Sequence, residues 1–334
     1  MSRKFTVCCL IVIVVFLLQG CAGTGYKFKK LKTPSFVEDA ALKKSSSKWR
    51  ETQKLLATKT TDEKSPYIEV VNKIVEVDAK SGLMFPQISP NAEFVVYSAY
   101  DAEDNGISIY RQEVNSTARI RITQGPYFDL YPTVSPDGKY IYFSSNRGGH
   151  FSIWRIGQQG EGGLTRITNH RNSDFAPDIS RDGEQIVFHS YSPESERPEI
   201  WTCRIDGTFM TQMRPGWWPK WSNSGNEIMY LLPGKDNKIR NVWAMDVKGS
   251  QTMQLTNNRL VHSATWAIND QVLYSAFNQD AVKGNYDLYL GYKQLTTNPS
   301  EDMYPMFDNQ GCLYFLSVRG HHIGYWMTHP QNLD

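Results

Sequence analysis

Residues 131–149 read YPTVSPDGKYIYFSSNRGG. Asp137-Gly138 at its centre is a tight-turn pair, because glycine takes positive φ without a Cβ clash and an aspartate carboxylate accepts hydrogen bonds from the backbone that follows it. Short runs of Tyr, Ile, Val and Phe flank the turn, which is the composition of β-strands. Asp137 and Arg147 could equally belong to a site, so the reading depends on whether the stretch is unique. It is one of six versions: FPQISPNAEFVVYSA from Phe85, YPTVSPDGKYIYFSS from Tyr131, APDISRDGEQIVFHS from Ala176, WPKWSNSGNEIMYLL from Trp218, SATWAINDQVLYSA from Ser263 and YPMFDNQGCLYFLS from Tyr304. The second residues are Pro86, Pro132, Pro177, Pro219, Ala264 and Pro305, spaced by 46, 45, 42, 45 and 41 residues. That period is too long for leucine-rich repeats and fits a four-stranded propeller blade.

Each unit divides into four strands. Strand A carries the proline, a turn such as SPDG or SRDG leads into strand B, a variable loop leads to strand C (SIYRQEV, SIWRIG, EIWTCRID, NVWAMDV, DLYLGY), and a short D strand follows (RIRIT, LTRIT, MTQM, TMQLT, KQLT). The sixth unit ends after its C strand, with no segment resembling RIT before Asp334. A match lies at the front of the repeats, where Val77 stands nine residues before Pro86, as Thr123 stands nine before Pro132 and Thr168 nine before Pro177. Residues 73–78 are therefore expected to complete the last blade and close the ring, which leaves no open seam of unpaired backbone. Ser65-Pro66 followed by Ile68, Val71, Ile74 and Val75 offers a competing helical spacing. The expected fold is all-β, a six-bladed β-propeller of four-stranded blades over residues 65–334.

The beginning of the chain is of another kind. Arg3 and Lys4 precede an apolar run of 14 residues, Phe5 to Leu18. At about 1.5 Å per residue such a helix reaches about 21 Å, short of a hydrocarbon core of about 30 Å, as in a signal h-region. The sequence LLQGC that ends it resembles the lipobox of bacterial lipoproteins, with Gly20 as the small residue and Cys21 as the lipid acceptor. This resemblance implies a signal peptide over residues 1–20 and a mature protein tethered outside the cytoplasm through diacylglyceryl and palmitate chains on Cys21. Ala22 after the cysteine suits the outer membrane of a Gram-negative cell. The following 44 residues, 21–64, carry a net charge of +6 and the body from residue 65 carries −6. A basic tether is attracted to anionic headgroups, and an acidic body excludes nucleic acid as an expected partner. The tether is expected to be partly helical or disordered: Ser35 and Glu38 form a capping-box pattern, and Trp49, Leu55 and Leu56 have the spacing of one face of a short helix.

The Pro-bearing strand, SPDGKYIYFSSNRGG, the aromatic SIWRI and the closing TRIT together resemble the TolB-type propeller repeat across residues 73–329. The resemblance implies a periplasmic six-bladed propeller that binds other envelope proteins. Related propellers precede prolyl oligopeptidase-type hydrolase domains, but no G-x-S-x-G nucleophile elbow occurs in this sequence. TolB carries an α/β domain before its propeller, where this chain has only the tether, so the TolB partner set does not transfer with the repeat.

Several residues invite chemistry. Asp129, Asp174 and Asp302 each stand three before the repeated Pro, and Arg147 and Arg319 recur in SNRG and SVRG. Recurrence at one register reads as a structural role inherited with the repeat. The alternative is a set of carboxylates converging on a cation at the ring axis. His321-His322 and His329 lack a cysteine or carboxylate at zinc-ligand spacing, and adjacent side chains on a strand point apart. No metal and no cofactor are expected. His170, His189 and His262 fall in different units and could meet only by folding, as they would in a polysaccharide lyase of the propeller type. Cys203 and Cys312 belong to the third and sixth units, on opposite sides of a six-membered ring, well beyond the Cα separation of about 7 Å that a disulfide tolerates.

In a four-stranded blade the B–C and D–A connections share one face. The B–C loops are long and unlike one another (residues 100–106, 191–199, 233–241 and 278–286), whereas the A–B turns are short and similar. Variable loops on a rigid scaffold are where binding usually resides. The expected binding face comprises Tyr127, Phe128, Trp217, Trp218, Arg197, Lys235, Arg240 and His321, Trp and Tyr being frequent hot spots. The sequence thus reads as a monomeric, lipid-anchored envelope propeller that binds another envelope protein. The rival reading is a propeller enzyme or glycan binder that uses the axial pocket.

Overall fold

The structure is a computed structural model; it describes residues 65–68, 71–76, 82–192, 194, 197–233, 240–257, 259–278, 284–319 and 322–331. The signal peptide, Cys21, the tether, Lys235 and His321 lie outside the described residues.

Six four-stranded antiparallel sheets form six blades. Their A strands are Met84–Ile88, Asp129–Val134, Ser173–Ile179, Trp217–Trp221, Val261–Trp266 and Met303–Phe307. Blade 2 shows the pattern: strand A Asp129–Val134, B Tyr140–Ser145, C Ser152–Gly157 and D Thr165–Arg166, paired in that order. Residues 131–149 supply most of its A strand, the turn and the whole B strand. Blade 6 takes its outer strand from the other end of the chain. Asn72–Glu76 pairs antiparallel with His322–Thr328, with Val75 opposite Tyr325. The strand begins one residue earlier than expected, and residues 77 and 78 lie outside the described residues. Ser65, Pro66, Tyr67 and Ile68 contain a turn and no helix.

The A–B turns share one construction. In blade 2 the Ser135 N–H donates to the Tyr140 carbonyl, the Tyr140 N–H donates back to Ser135 Oγ at 3.0 Å, and the Gly138 N–H donates to the Ser135 carbonyl. Ser180 and Ser222 repeat this, and in blade 6 Asp308 takes the role of the serine. The fourth turn residue has φ near +74° at Gly138, +75° at Gly183 and +73° at Gly225, but blades 1 and 5 place Ala92 (+57°) and Asp270 (+55°) there. The threonine of the RIT motif has a comparable local duty. Thr123, Thr168, Thr256 and Thr296 each accept through Oγ1 an N–H of strand C, all at 2.9 Å. This pins a D strand only two or three residues long.

The core is distributed between blades, which follows from strand periodicity. Ile141 and Phe143 pack toward blade 1, and Tyr142 between them packs toward blade 3. Ile228 and Tyr230 face blade 3, while Met229 and Leu231 face blade 5. Both faces of these sheets are thereby covered, so the B strands read as continuous apolar runs. Cys203 and Cys312 are buried in different blades and both are free thiols; burial pushes Cys203 up to about 12 and Cys312 up to about 11.

Candidate functional site

Every A strand is irregular at one place. The register with strand B shifts between Met84 and Gln87, Leu130 and Thr133, Phe175 and Asp178, Trp217 and Lys220, Val261 and Ser263, and Met303 and Met306. In the five blades with the repeated proline, the residue before it takes positive φ: Phe85 (53°), Tyr131 (55°), Ala176 (51°), Trp218 (48°) and Tyr304 (52°). A bulge leaves the ladder incomplete, and proline suits it because it has no N–H to leave unpaired. The bulge delivers the preceding side chain to the axis, where these rings meet. Phe85 lies 3.9 Å from Tyr131 and 5.9 Å from Tyr304 between ring centroids. Phe175 extends the layer, 6.5 Å from Tyr131 and 5.7 Å from His189.

The two ends of the axis differ. At the A–B turn face, Arg181 of blade 3 donates to Asn309 Oδ1 of blade 6 at 3.1 Å, and Asn309 Nδ2 donates to the Pro90 carbonyl of blade 1 at 3.2 Å. Turns of opposite blades are therefore tied across the axis. At the B–C loop face, the Arg240 guanidinium carbon stands 5.5 Å from the Trp218 ring centroid, and the Trp217 Nε1–H donates to the Tyr191 hydroxyl at 3.0 Å. His262 stacks edge-on against Tyr304 at 5.1 Å and Tyr286 at 5.4 Å.

Electrostatics at this end follow from burial. Desolvation lowers the Arg240 pKa, while Tyr286, Tyr191 and Tyr131 around it act in the opposite direction. A guanidinium nevertheless remains charged. Desolvation, helped by the charge of Arg240, holds His262 down at about 4, and desolvation alone holds His189 at about 3. Both imidazoles are neutral at physiological pH. His189 Nδ1 accepts the Trp218 N–H at 3.4 Å. Burial raises the Glu301 carboxyl, which accepts the Tyr286 N–H at 2.9 Å.

The residues singled out in the sequence separate into groups. Asp129 and Asp302 are buried against the arginine of their own blade, with Arg147 at 2.6 Å and Arg319 at 3.2 Å. Asp174 is met instead by His170 at 2.9 Å and by the Ser190 hydroxyl at 2.7 Å. Among the described residues no three His, Cys, Asp or Glu side chains gather as a metal site would require. His170 packs against Trp201 and Asp174, apart from the aromatic neighbourhood of His189 and His262. Of the expected binding face, Arg197 is exposed on the blade 3 loop, Tyr127 lies half-buried against Arg147, and Phe128 packs at the edge of the axial cluster. Trp218 and Arg240 turn inward to the axis. Sequence reasoning overlooked Tyr131, Tyr191, Tyr286 and Tyr304 as wall residues. A usable signal was present for two of them, since the position just before the repeated proline is aromatic in four of the six units.

Comparison with known proteins agrees with this architecture. The family model for the TolB beta propeller domain matches residues 69–286. An uncharacterized protein of Agrobacterium fabrum is 34% identical over 156 residues, 43% of this chain and 52% of that protein. The Tol-Pal system protein TolB of Francisella tularensis is 30% identical over 91 residues, 27% of this chain and 20% of that protein. The chain thus spans about half the length of the first of these relatives and a fifth of the second. Among solved structures, TolB from Acinetobacter baumannii aligns with a TM-score of 0.52 at 17% identity, over 77% of this chain and 56% of that one. Oligogalacturonate lyase from Vibrio parahaemolyticus aligns with a TM-score of 0.50 at 8% identity, over 82% of this chain and 100% of that one. Both structural likenesses concern the fold alone. With six blades closed by an N-terminal strand and a family match over most of the propeller, the chain belongs to the TolB β-propeller domain family.

Proposed function

We propose that this protein is a lipid-anchored cell-envelope propeller that binds another envelope protein through its B–C loop face. The observation that carries this reading is the asymmetry of the two ends of the ring. The A–B turn face is tied across the axis by Arg181, Asn309 and Pro90. The opposite face carries the variable loops together with Trp217 and Tyr127, neither of them fully buried. Large aromatic side chains with one polar edge supply most of the energy at protein interfaces. Kinship with the TolB propeller supports a partner in the envelope, and the lipobox-like LLQGC supports attachment through Cys21.

The experiment is site-specific photo-crosslinking in the native envelope. A photoreactive residue at Trp217 or Arg197 is expected to yield a discrete adduct with one envelope protein, and the same residue at Asp137 or Asp182 on the turn face is expected to yield none. Equal adducts from both faces would remove the reading. Anchoring has its own measurement: Cys21→Ser is expected to move the protein from the membrane to the soluble fraction, and retention in the membrane fraction would exclude acylation at Cys21.

A further inference from the structure

Arg240 is the residue that neither the fold nor the blade repeat explains. It begins strand C of blade 4 (Arg240–Asp246) and sends its guanidinium over Trp218 toward the axis. Arg147 and Arg319, the buried arginines of the repeat, each meet a carboxylate. Arg240 meets none among the described residues: the groups that act on its charge are the phenols of Tyr286, Tyr191 and Tyr131, and its charge in turn depresses His262. A half-buried cation surrounded by neutral groups is costly to the fold unless an anion joins it. Perturbed, uncompensated charges of this kind concentrate where ligands bind. His262 adds an unanswered polar atom, since its Nδ1 is buried and finds no hydrogen-bond partner among the described residues. Arg240, Trp218, Tyr286 and His262 all retain accessible surface at this end of the ring.

The composition of this space selects the ligand. Unlike Arg147 and Arg319, Arg240 meets no carboxylate among the described residues, and a single negative charge would answer it. The planar fork of a guanidinium fits a carboxylate with two parallel hydrogen bonds. A phosphate dianion would leave a charge unanswered. The walls are rings from four blades: Trp218 lies 5.5 Å from the guanidinium, His189 and Phe175 connect it to Tyr131 and Tyr191, and Tyr286 packs edge-on against His262. Aromatic side chains pair with flat rings by offset stacking or edge-to-face contact, and a pocket of apolar walls with few convergent polar groups is the usual form of a small-molecule site. We propose that the axial space at the B–C loop face binds a small aromatic monocarboxylate, its carboxylate on Arg240 and its ring among Trp218 and the tyrosines. His262 Nδ1, which has no hydrogen-bond partner among the described residues, then serves a polar substituent on that ring. The site does not depend on the protein-binding reading and can stand or fall separately from it.

The test is titration calorimetry on the full chain in detergent with benzoate as the probe. Benzoate is expected to bind with one site per chain, and neutral benzamide at least tenfold more weakly, because only the carboxylate answers the guanidinium. Arg240→Gln is expected to reduce benzoate affinity at least tenfold, and Arg240→Lys, which keeps the charge and loses the fork, to reduce it severalfold. Absence of benzoate binding, equal binding of benzamide, or undiminished binding by Arg240→Gln would each overturn the proposal. Binding of D-glucuronate in preference to benzoate would also overturn it, by assigning the ring walls to a sugar. Should Arg240→Gln fail to fold, the benzoate and benzamide comparison on the unaltered protein decides the matter alone.

Discussion

The Arg147 guanidinium donates to Asp129 Oδ2 at 2.6 Å, with the two side chains only 8% and 2% exposed. Arg147 also donates to Ser145 Oγ at 2.9 Å, so the pair fixes the end of strand B to the start of strand A within blade 2. Asp129 Oδ1 has no hydrogen-bond partner among the described residues, which leaves the carboxylate dependent on this one arginine. Arg147→Ala would strand a buried negative charge, and the expected loss of stability is about 3–5 kcal/mol. Arg171 pairs with Glu194 at 2.8 Å, but the two side chains are 72% and 69% exposed. Arg171→Ala is expected to cost no more than about 1 kcal/mol. Urea denaturation of the two variants measures the contrast directly.

Closure of the ring can be probed at Gly324, opposite Glu76 in the sixth blade. A Cβ at this position would meet the Val75 carbonyl oxygen at 2.6 Å, and that oxygen belongs to backbone held in the closing strand. Gly324→Ala is expected to displace the N-terminal strand and destabilise the fold by about 1–3 kcal/mol. Hydrogen exchange should show the loss first in residues 72–76, since this strand pairs directly with the C-terminal strand that carries Gly324.

The A–B turns supply an internal comparison of glycine and alanine at one backbone position. Gly138 has φ of +74° and open space where a Cβ would stand. Gly138→Ala therefore tests backbone strain alone, with an expected cost of about 1–2 kcal/mol. Ala92 already bears that strain at +57°, while its methyl packs against the cluster between blades 6 and 1. Ala92→Gly relieves the first and loses the second, worth about 0.8 kcal/mol per methyl-sized group. The net gain is expected to stay below about 1 kcal/mol in thermal unfolding.

Two desolvated histidines predict an acid dependence. Desolvation holds His189 at about 3, and desolvation with the charge of Arg240 holds His262 at about 4, against an ordinary value of 6.5. Below 6.5 the unfolded chain takes up protons that the folded chain refuses. Stability is therefore expected to rise with pH between about 4 and 6.5 and to level off above, with each histidine contributing a slope of at most about 1.4 kcal/mol per pH unit. His262→Gln should flatten part of this dependence in urea midpoints taken across that window, and an unchanged slope would mean that His262 is not kept neutral by the fold.

The ring was legible in the order of residues alone. A unit recurring six times with proline at a fixed place in five of the copies, turn residues a few positions later and apolar residues throughout strand B admits one economical arrangement, because each sheet needs a neighbour on both faces. The C strand that ends at Thr328 and the D strand around Val75 each lacked a local partner and so pointed to each other. Such signals can be read because turn chemistry and strand periodicity act over a few residues. The axial site was legible only in pieces. Arg240 and Trp218 stand 22 positions apart and read as surface residues of a loop and a strand end. Their inward turn depends on the bulge at Trp218 and on the meeting of blades around the axis. Tyr131 comes from blade 2, Tyr191 from blade 3, and Tyr286 and His262 from blade 5, and no local spacing relates them. The closed ring brings a cation without a carboxylate partner among the described residues, two neutral imidazoles and a wall of phenols to one place. Convergence on an axis is a property of the assembled blades and of no segment within them.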